Sequence, residues 1–263
     1  MSAWGRAKNM AGWWLAVWLG LGAVLGIGIL VGEGAASAQL LPVQGRIWGP
    51  DQTVSVAALK VPAKAWEHFA KANAAVEANR REEFERESAK ALAIEPKFAE
   101  VYLLRAHAKV MARQFDGAIE DVVEARRIEP EVSWAGVLLA QAYNGAHRFH
   151  DAVLALDTLH GWEADVWQAK YERTRAAIGL KDAEGSLRWS EATLALAPDG
   201  YTEVHLLRAN ALVVAERWSG AVRELEAYLA DDTKQTKRVQ VVALLAYTRG
   251  MAAGVGEMNL ASR

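Results

Sequence analysis

The sequence predicts an all-α solenoid of about five helix hairpins closed by a C-terminal capping helix, with an export signal and an extended linker ahead of it. Three observations carry this. The segment Glu100–Ile119 (EVYLLRAHAKVMARQFDGAI) aligns without a gap on Glu203–Val222 (EVHLLRANALVVAERWSGAV) at an offset of 103 residues, three periods of 34 plus one. Prolines keep the same step, with 34 residues from Pro96 to Pro130 and 68 from Pro130 to Pro198. Within the units, Ala118, Val122 and Ala125, or Ala152, Leu156 and Leu159, share one face of a helix. A period of this size marks a supersecondary unit that buries its apolar face only by stacking on its neighbours.

Composition narrows the function classes. Hydrophobic residues make up 52% and charged residues 24% of the 263, and the lack of a long polar tract argues for an ordered core. The absence of cysteine excludes disulfides, thiolate metal sites, iron–sulfur clusters, lipidation on sulfur and cysteine catalysis. Net charge is −2, and beyond residue 38 there are 28 basic and 31 acidic side chains. That balance offers no basic surplus for phosphates, so no nucleic-acid partner is expected.

The elements follow in chain order. Arg6 and Lys8 precede an uncharged apolar run from Ala11 to Gly32, and Ala36 and Ala38 then form an A-x-A pattern, which together read as a signal peptide of residues 1–38 cut after Ala38. The alternative is an uncleaved inner-membrane anchor of residues 11–32, since about 20 apolar residues span a bilayer whereas a signal's apolar core is roughly 7–15. Five glycines between Gly20 and Gly32 weaken such a helix, and both readings place the remaining chain outside the cytoplasm. Residues 39–61, with Pro42, Gly45, Gly49 and Pro50, read as an extended linker carrying at most one short strand at 53–56. Pro62 then opens the helical region, 62–233, because its missing N–H costs nothing in a first helical turn. Val239, Val242, Leu245 and Ala246 lie at helical spacing in the final segment, 234–263, which reads as a cap over the open end of the stack with a frayed tail from Gly254.

Counted in units of 34, the chain resembles the tetratricopeptide repeat (TPR) family. Unit one, from Ala65, has Ala72, Ala91 and Pro96 in place, but Phe84 and Ser88 stand where a small residue and an aromatic are usual. Unit two, from Ala99, matches best, with Ala106, Phe115, Ala118, Ala125 and Pro130. Unit three, from Ser133, keeps Ala140, Tyr143, Phe149 and Ala152 but has Ala164 in place of the proline. Unit four, from Trp167, puts Thr174, Ser186 and Thr193 at the small positions and Pro198 at the end. Unit five, from Thr202, recovers Ala209, Trp218 and Ala221. Small residues let the two helices approach closely, and aromatics fill the wedge between hairpins.

No catalytic constellation accompanies this pattern. His147 and His150 flank the turn of unit three without a third ligand at useful spacing, and His160 lies at the far end of the next helix. Asp116 and Ser219, at equivalent turn positions, read as helix N-caps, and the Arg80-Arg81 and Arg126-Arg127 pairs as solvated faces. Phosphate loops, H-E-x-x-H and G-x-S-x-G are missing, so neither enzyme activity nor a cofactor or metal is expected.

What the resemblance implies is a protein or peptide partner held in a concave groove lined by the inner helix of each hairpin. Transferred by position, its candidate residues are Trp66, Phe69, Asn73, Leu103, His107, Trp134, Gln141, Tyr171, Arg175 and Asn210. The chaperone-type TPR clamp for an acidic C-terminus needs a lysine where Phe69 stands, so only Asn73 matches it. The expected role is an extracytoplasmic, periplasmic or secreted scaffold; the alternatives are a membrane-anchored envelope assembly factor, touching the membrane only through an uncleaved N-terminus, or an accessory subunit of an envelope enzyme.

Overall fold

A computed structural model describes residues 58–230 and 235–261. The signal at 1–38, with Ala36 and Ala38, and the linker up to residue 57, with the strand expected at 53–56, lie outside the described residues. A single 3₁₀ turn at Ala58–Lys60 leads into twelve α-helices, and no strand occurs among the described residues.

The helices pair as the repeat predicts. Hairpin one is α1 (Ala63–Glu77) with α2 (Arg81–Ile94), hairpin two α3 (Ala99–Met111) with α4 (Phe115–Ile128), and hairpin three α5 (Ala135–Gly145) with α6 (Phe149–Asp157). After the short α7 (Trp162–Asp165), hairpin four is α8 (Trp167–Gly179) with α9 (Ala183–Leu196), and hairpin five is α10 (Glu203–Val214) with α11 (Trp218–Ala230). The terminal α12 (Gln235–Ala261) packs on α11, and the first helices of successive hairpins touch, forming an inner row of α1, α3, α5, α8 and α10.

The period is written into the backbone. A non-glycine residue takes the left-handed conformation in every hairpin turn: Asn79, Arg113, His147, Lys181 and Glu216 have φ between 52° and 60°. These are 34 residues apart until the last step of 35, which locates the extra residue between hairpins four and five. Each turn is a Schellman motif, with the N–H after the left-handed residue reaching back five positions, as in Arg80 to the Ala75 carbonyl at 2.8 Å and Arg148 to Tyr143 at 2.8 Å.

That register corrects the capping expectation. The N-cap residues are those following the left-handed position, namely Arg80, Gln114, Arg148 and Asp182, so Asp116 lies one residue inside α4 and Ser219 one inside α11. Of these four N-caps, Asp182 alone caps with its side chain, accepting from Gly185 N–H at 2.9 Å.

Second helices end where proline follows. Glu95, Glu129 and Ala197 are held extended by Pro96, Pro130 and Pro198, which stops α2, α4 and α9. Ala164 provides no such stop in unit three; α6 spans only nine residues and the chain forms α7 before turning back.

Packing between helices bears out the alignment. Ala72, Ala91, Ala106, Ala118, Ala125, Ala140, Ala152, Thr174, Ser186, Thr193, Ala209 and Ala221 are all fully buried. In hairpin four the three hydroxyls are satisfied locally: Thr174 donates to the Lys170 carbonyl at 2.8 Å, Thr193 to Trp189 at 2.8 Å and Ser186 to Ala183 at 2.9 Å. Between hairpins, Phe115 lies on Gly145 and Phe149 on Gly179, so the aromatics that open α4 and α6 seat in the notch left by a glycine on the next hairpin. The equivalent pair one step later is Ala183 with Val214, where the bulk sits on the opposite partner.

Candidate functional site

One position on the second helix, facing the first, clamps hairpins one, two and five by charge. His68 meets Glu87 at 2.7 Å and His205 meets Glu224 at 2.7 Å, while in hairpin two Asp121, at the same repeat position, pairs with Arg105 at 3.2 Å and Lys109 at 2.8 Å. Hairpin four replaces the carboxylate by Trp189, over which Arg173 and Lys170 stack at 4.9 and 5.5 Å. Hairpin three places Gly136, Leu139 and Ala155 there and closes by apolar contact. The histidines and carboxylates of these pairs therefore hold helices together. Lys90, His68 and Arg86 together keep the Glu87 carboxyl down to about 2.

The candidate groove residues fall on the inner row, in two classes. The large side chains pack against one another along the stack. Trp66, Phe69 and Phe98 form a cluster with centroid distances of 4.6 to 5.5 Å; Leu103 is buried with Val110 and Val137; Tyr171 stands edge-on to Trp167 at 6.1 Å, and Trp167 meets Tyr201 at 4.8 Å. Trp134 is buried against Trp162 at 5.2 Å, in left-handed backbone at φ 71°, with its backbone N–H donated to the Glu163 carboxylate. Burial pushes the Glu163 carboxyl up, against the pull of that hydrogen bond. Trp134, Tyr171, Phe69 and Leu103 are thus core residues of the inner row. Trp134 owes its place to α7, which no repeat count reveals.

The second class is polar. Asn73, His107, Gln141, Arg175 and Asn210 occupy one position in five successive inner helices, 34 residues apart with a last step of 35. They make a ladder of hydrogen-bonding side chains across the inner face. Asn73 and Arg175 are partly exposed; His107, Gln141 and Asn210 are buried. Asn73 donates to Glu77 at 3.0 Å, and Arg175 donates to the fully buried Glu172 at 2.9 Å. Asn144 joins them, its amide reaching Glu172 Oε2 at 2.8 Å. Gln141 Oε1 and Asn144 Oδ1 are buried acceptors with no hydrogen-bond donor among the described residues.

Three carboxylates are buried on the inner row, Glu100, Glu172 and Glu203; repeat position marks Glu100 and Glu203 as groove candidates but not Glu172. Glu172 sits among Arg175 and Asn144. Glu100 is raised to about 7, first by burial and then by the neighbouring charge of Glu129. The signal of Glu172 was available as an acidic residue on an otherwise apolar helix face. Among the described residues no group of three His, Asp or Glu side chains is placed to hold a metal ion, and no helix is long and apolar enough to cross a membrane.

No family model and no curated protein matches the sequence. Among solved structures, the TPR domain of P58(IPK) aligns with a TM-score of 0.35 at 14% identity, covering 89% of this chain and 79% of that one. The 34-residue hairpins, their recurrent turns and the buried small positions give this chain the fold of a TPR-like helical solenoid. Repeat solenoids of this class present an extended concave surface for binding.

Proposed function

We propose that this chain is an extracytoplasmic, non-enzymatic scaffold that holds a protein or peptide partner along the inner face of α1, α3, α5, α8 and α10. The polar ladder at Asn73, His107, Gln141, Arg175 and Asn210 carries the reading. Amide, imidazole and guanidinium groups repeated at one position of successive helices match the donors and acceptors that a polypeptide backbone repeats along its length. Partly exposed Trp66, Asn73, Gln168 and Arg175 offer direct contact, with Trp and Arg among the residues that dominate binding energy. The signal-like pattern of residues 1–38 supports an extracytoplasmic setting, and mass spectrometry of the mature N-terminal peptide tests it: a start at Gln39, free or cyclised to pyroglutamate, agrees, whereas a retained Met1 replaces cleavage by the anchored alternative.

The test recovers the partner by crosslinking in intact cells. Trp66→Ala and Arg175→Ala are then compared with Arg127→Ala on α4, whose guanidinium engages Glu124 of its own helix at 2.7 to 2.8 Å. Loss of about tenfold or more in affinity is expected for the inner variants, with little change for Arg127→Ala. Equal effects from all three contradict the inner-face reading.

A further inference from the structure

Phe115 and Phe149 plug the interfaces between hairpins two and three and between three and four. At the equivalent place between hairpins one and two the chain has Arg81 facing the position of Met111. Arg81 is 73% exposed and turned to Glu85 at 2.8 Å, so the plug is missing. A cleft of about 440 Å³ remains, within the roughly 300–1,000 Å³ typical of ligand pockets. Its floor is apolar, formed by Val76, Phe84, Ala108 and Met111, with Met111 left 42% exposed. Its rim carries Arg80, Arg81, Arg105, Lys109 and Glu85, with Arg105 and Lys109 already held by Asp121. Arg80 and Arg81 sit in solvent-accessible pairs, with Glu83 at 2.9 Å and Glu85, which exchange partners at little cost.

We infer that this cleft is a socket for an aromatic side chain of a partner polypeptide, flanked in that partner by acidic residues. The ring takes the place that Phe115 and Phe149 take in the next two interfaces, and its neighbouring carboxylates meet the Arg80 and Arg81 guanidinium groups. The socket lies at the turn end of hairpins one and two, away from Arg175, and adds a contact that does not depend on the inner-face ladder.

The test titrates the full chain with the capped tripeptide acetyl-Asp-Phe-Asp-amide, following the methyl signals of Met111, Ala108 and Ala112 by NMR. Saturable shifts at those methyls are expected with a dissociation constant on the order of 1 mM, as befits a fragment of a larger interface. The Asp-Ala-Asp peptide should produce none, and Lys-Phe-Lys should bind at least about fivefold more weakly. Arg81→Phe, which supplies the plug from within the chain, should abolish the shifts while keeping or raising the melting temperature; Arg127→Ala, at the other end of α4, should bind as wild type does. Shifts that are absent, equal for the alanine peptide, undiminished in Arg81→Phe, or lost in Arg127→Ala would overturn the proposal. Should Arg81→Phe fail to fold, Met111→Lys, which puts a charge on the exposed floor, replaces it with the same expected loss.

Discussion

The same chemical change, glycine to alanine, should have opposite signs at two positions in this chain. At Gly145 an added Cβ would lie 2.6 Å from both Cδ1 and Cζ of Phe115, against a comfortable carbon–carbon separation of about 3.5–4.0 Å. The ring would have to retreat by roughly 1 Å in a packed interface, a class of overpacking that costs about 1–3 kcal/mol. Replacing a helical glycine returns up to about 1 kcal/mol, less at the last residue of α5. The balance is a loss of about 1–2 kcal/mol, or roughly 2–8 °C in Tm for a chain of this size. At Gly250, inside α12, nothing lies within 4 Å of an added Cβ, so the helical gain of about 0.5–1 kcal/mol stands unopposed. Urea melts of Gly145→Ala, Gly250→Ala and Phe115→Leu/Gly145→Ala measure this, the last expected to cost at least about 1 kcal/mol less than the sum of its singles. Gly145→Ala as stabilising as Gly250→Ala, or strict additivity with Phe115→Leu, would refute the plug-and-notch account of hairpin stacking.

Other outcomes follow from the same packing and electrostatics. Lys181→Gly should raise stability by about 0.5–1 kcal/mol in thermal melts, because φ of 58° strains any side chain with a Cβ. Ala118→Leu should cost about 1–3 kcal/mol at the fully buried contact inside hairpin two. Glu100 binds its proton more tightly when folded, about 7 against an unfolded 4.5, so its ionisation erodes stability as pH rises from about 4.5 to about 7; Glu100→Gln should flatten that slope and gain roughly 3 kcal/mol at pH 8. Glu87 acts in the opposite window: its contribution is present above 4.5 and is lost as pH falls towards 2, a slope that Glu87→Gln should remove from acid titrations of stability. Hydrogen exchange should show residues 167–198 opening more readily than residues 99–130, because hydroxyls that bond their own helix at Thr174, Ser186 and Thr193 replace the methyl packing of alanine.

The sequence revealed period, hairpin pairing and small contact positions because each rests on residue size at fixed spacing. Ala106, Ala118 and Ala209 needed no tertiary information to be placed between helices. Turn register was less accessible: Arg113, Lys181 and Glu216 adopt left-handed backbone that their side chains do not favour, so Asp116 and Ser219 looked like caps. The inner face divides for a related reason. Repeat counting assigns Trp134 and Tyr171 to the groove by position, but a large apolar side chain there also reaches the next hairpin, and Trp162, Trp167 and their neighbours bury it. Position sets the helix face; only the packed neighbours decide whether that face meets solvent.

The most direct test of the inner-face account is a photocrosslinking scan in living cells. Benzoylphenylalanine would be placed at Asn73 and Arg175 on the inner row, and at Val123 and Leu154, which are 53% and 64% exposed on second helices. The account predicts one shared crosslinked partner from Asn73 and Arg175, and its absence from Val123 and Leu154. That partner captured from Val123 or Leu154 but from neither inner position would contradict it.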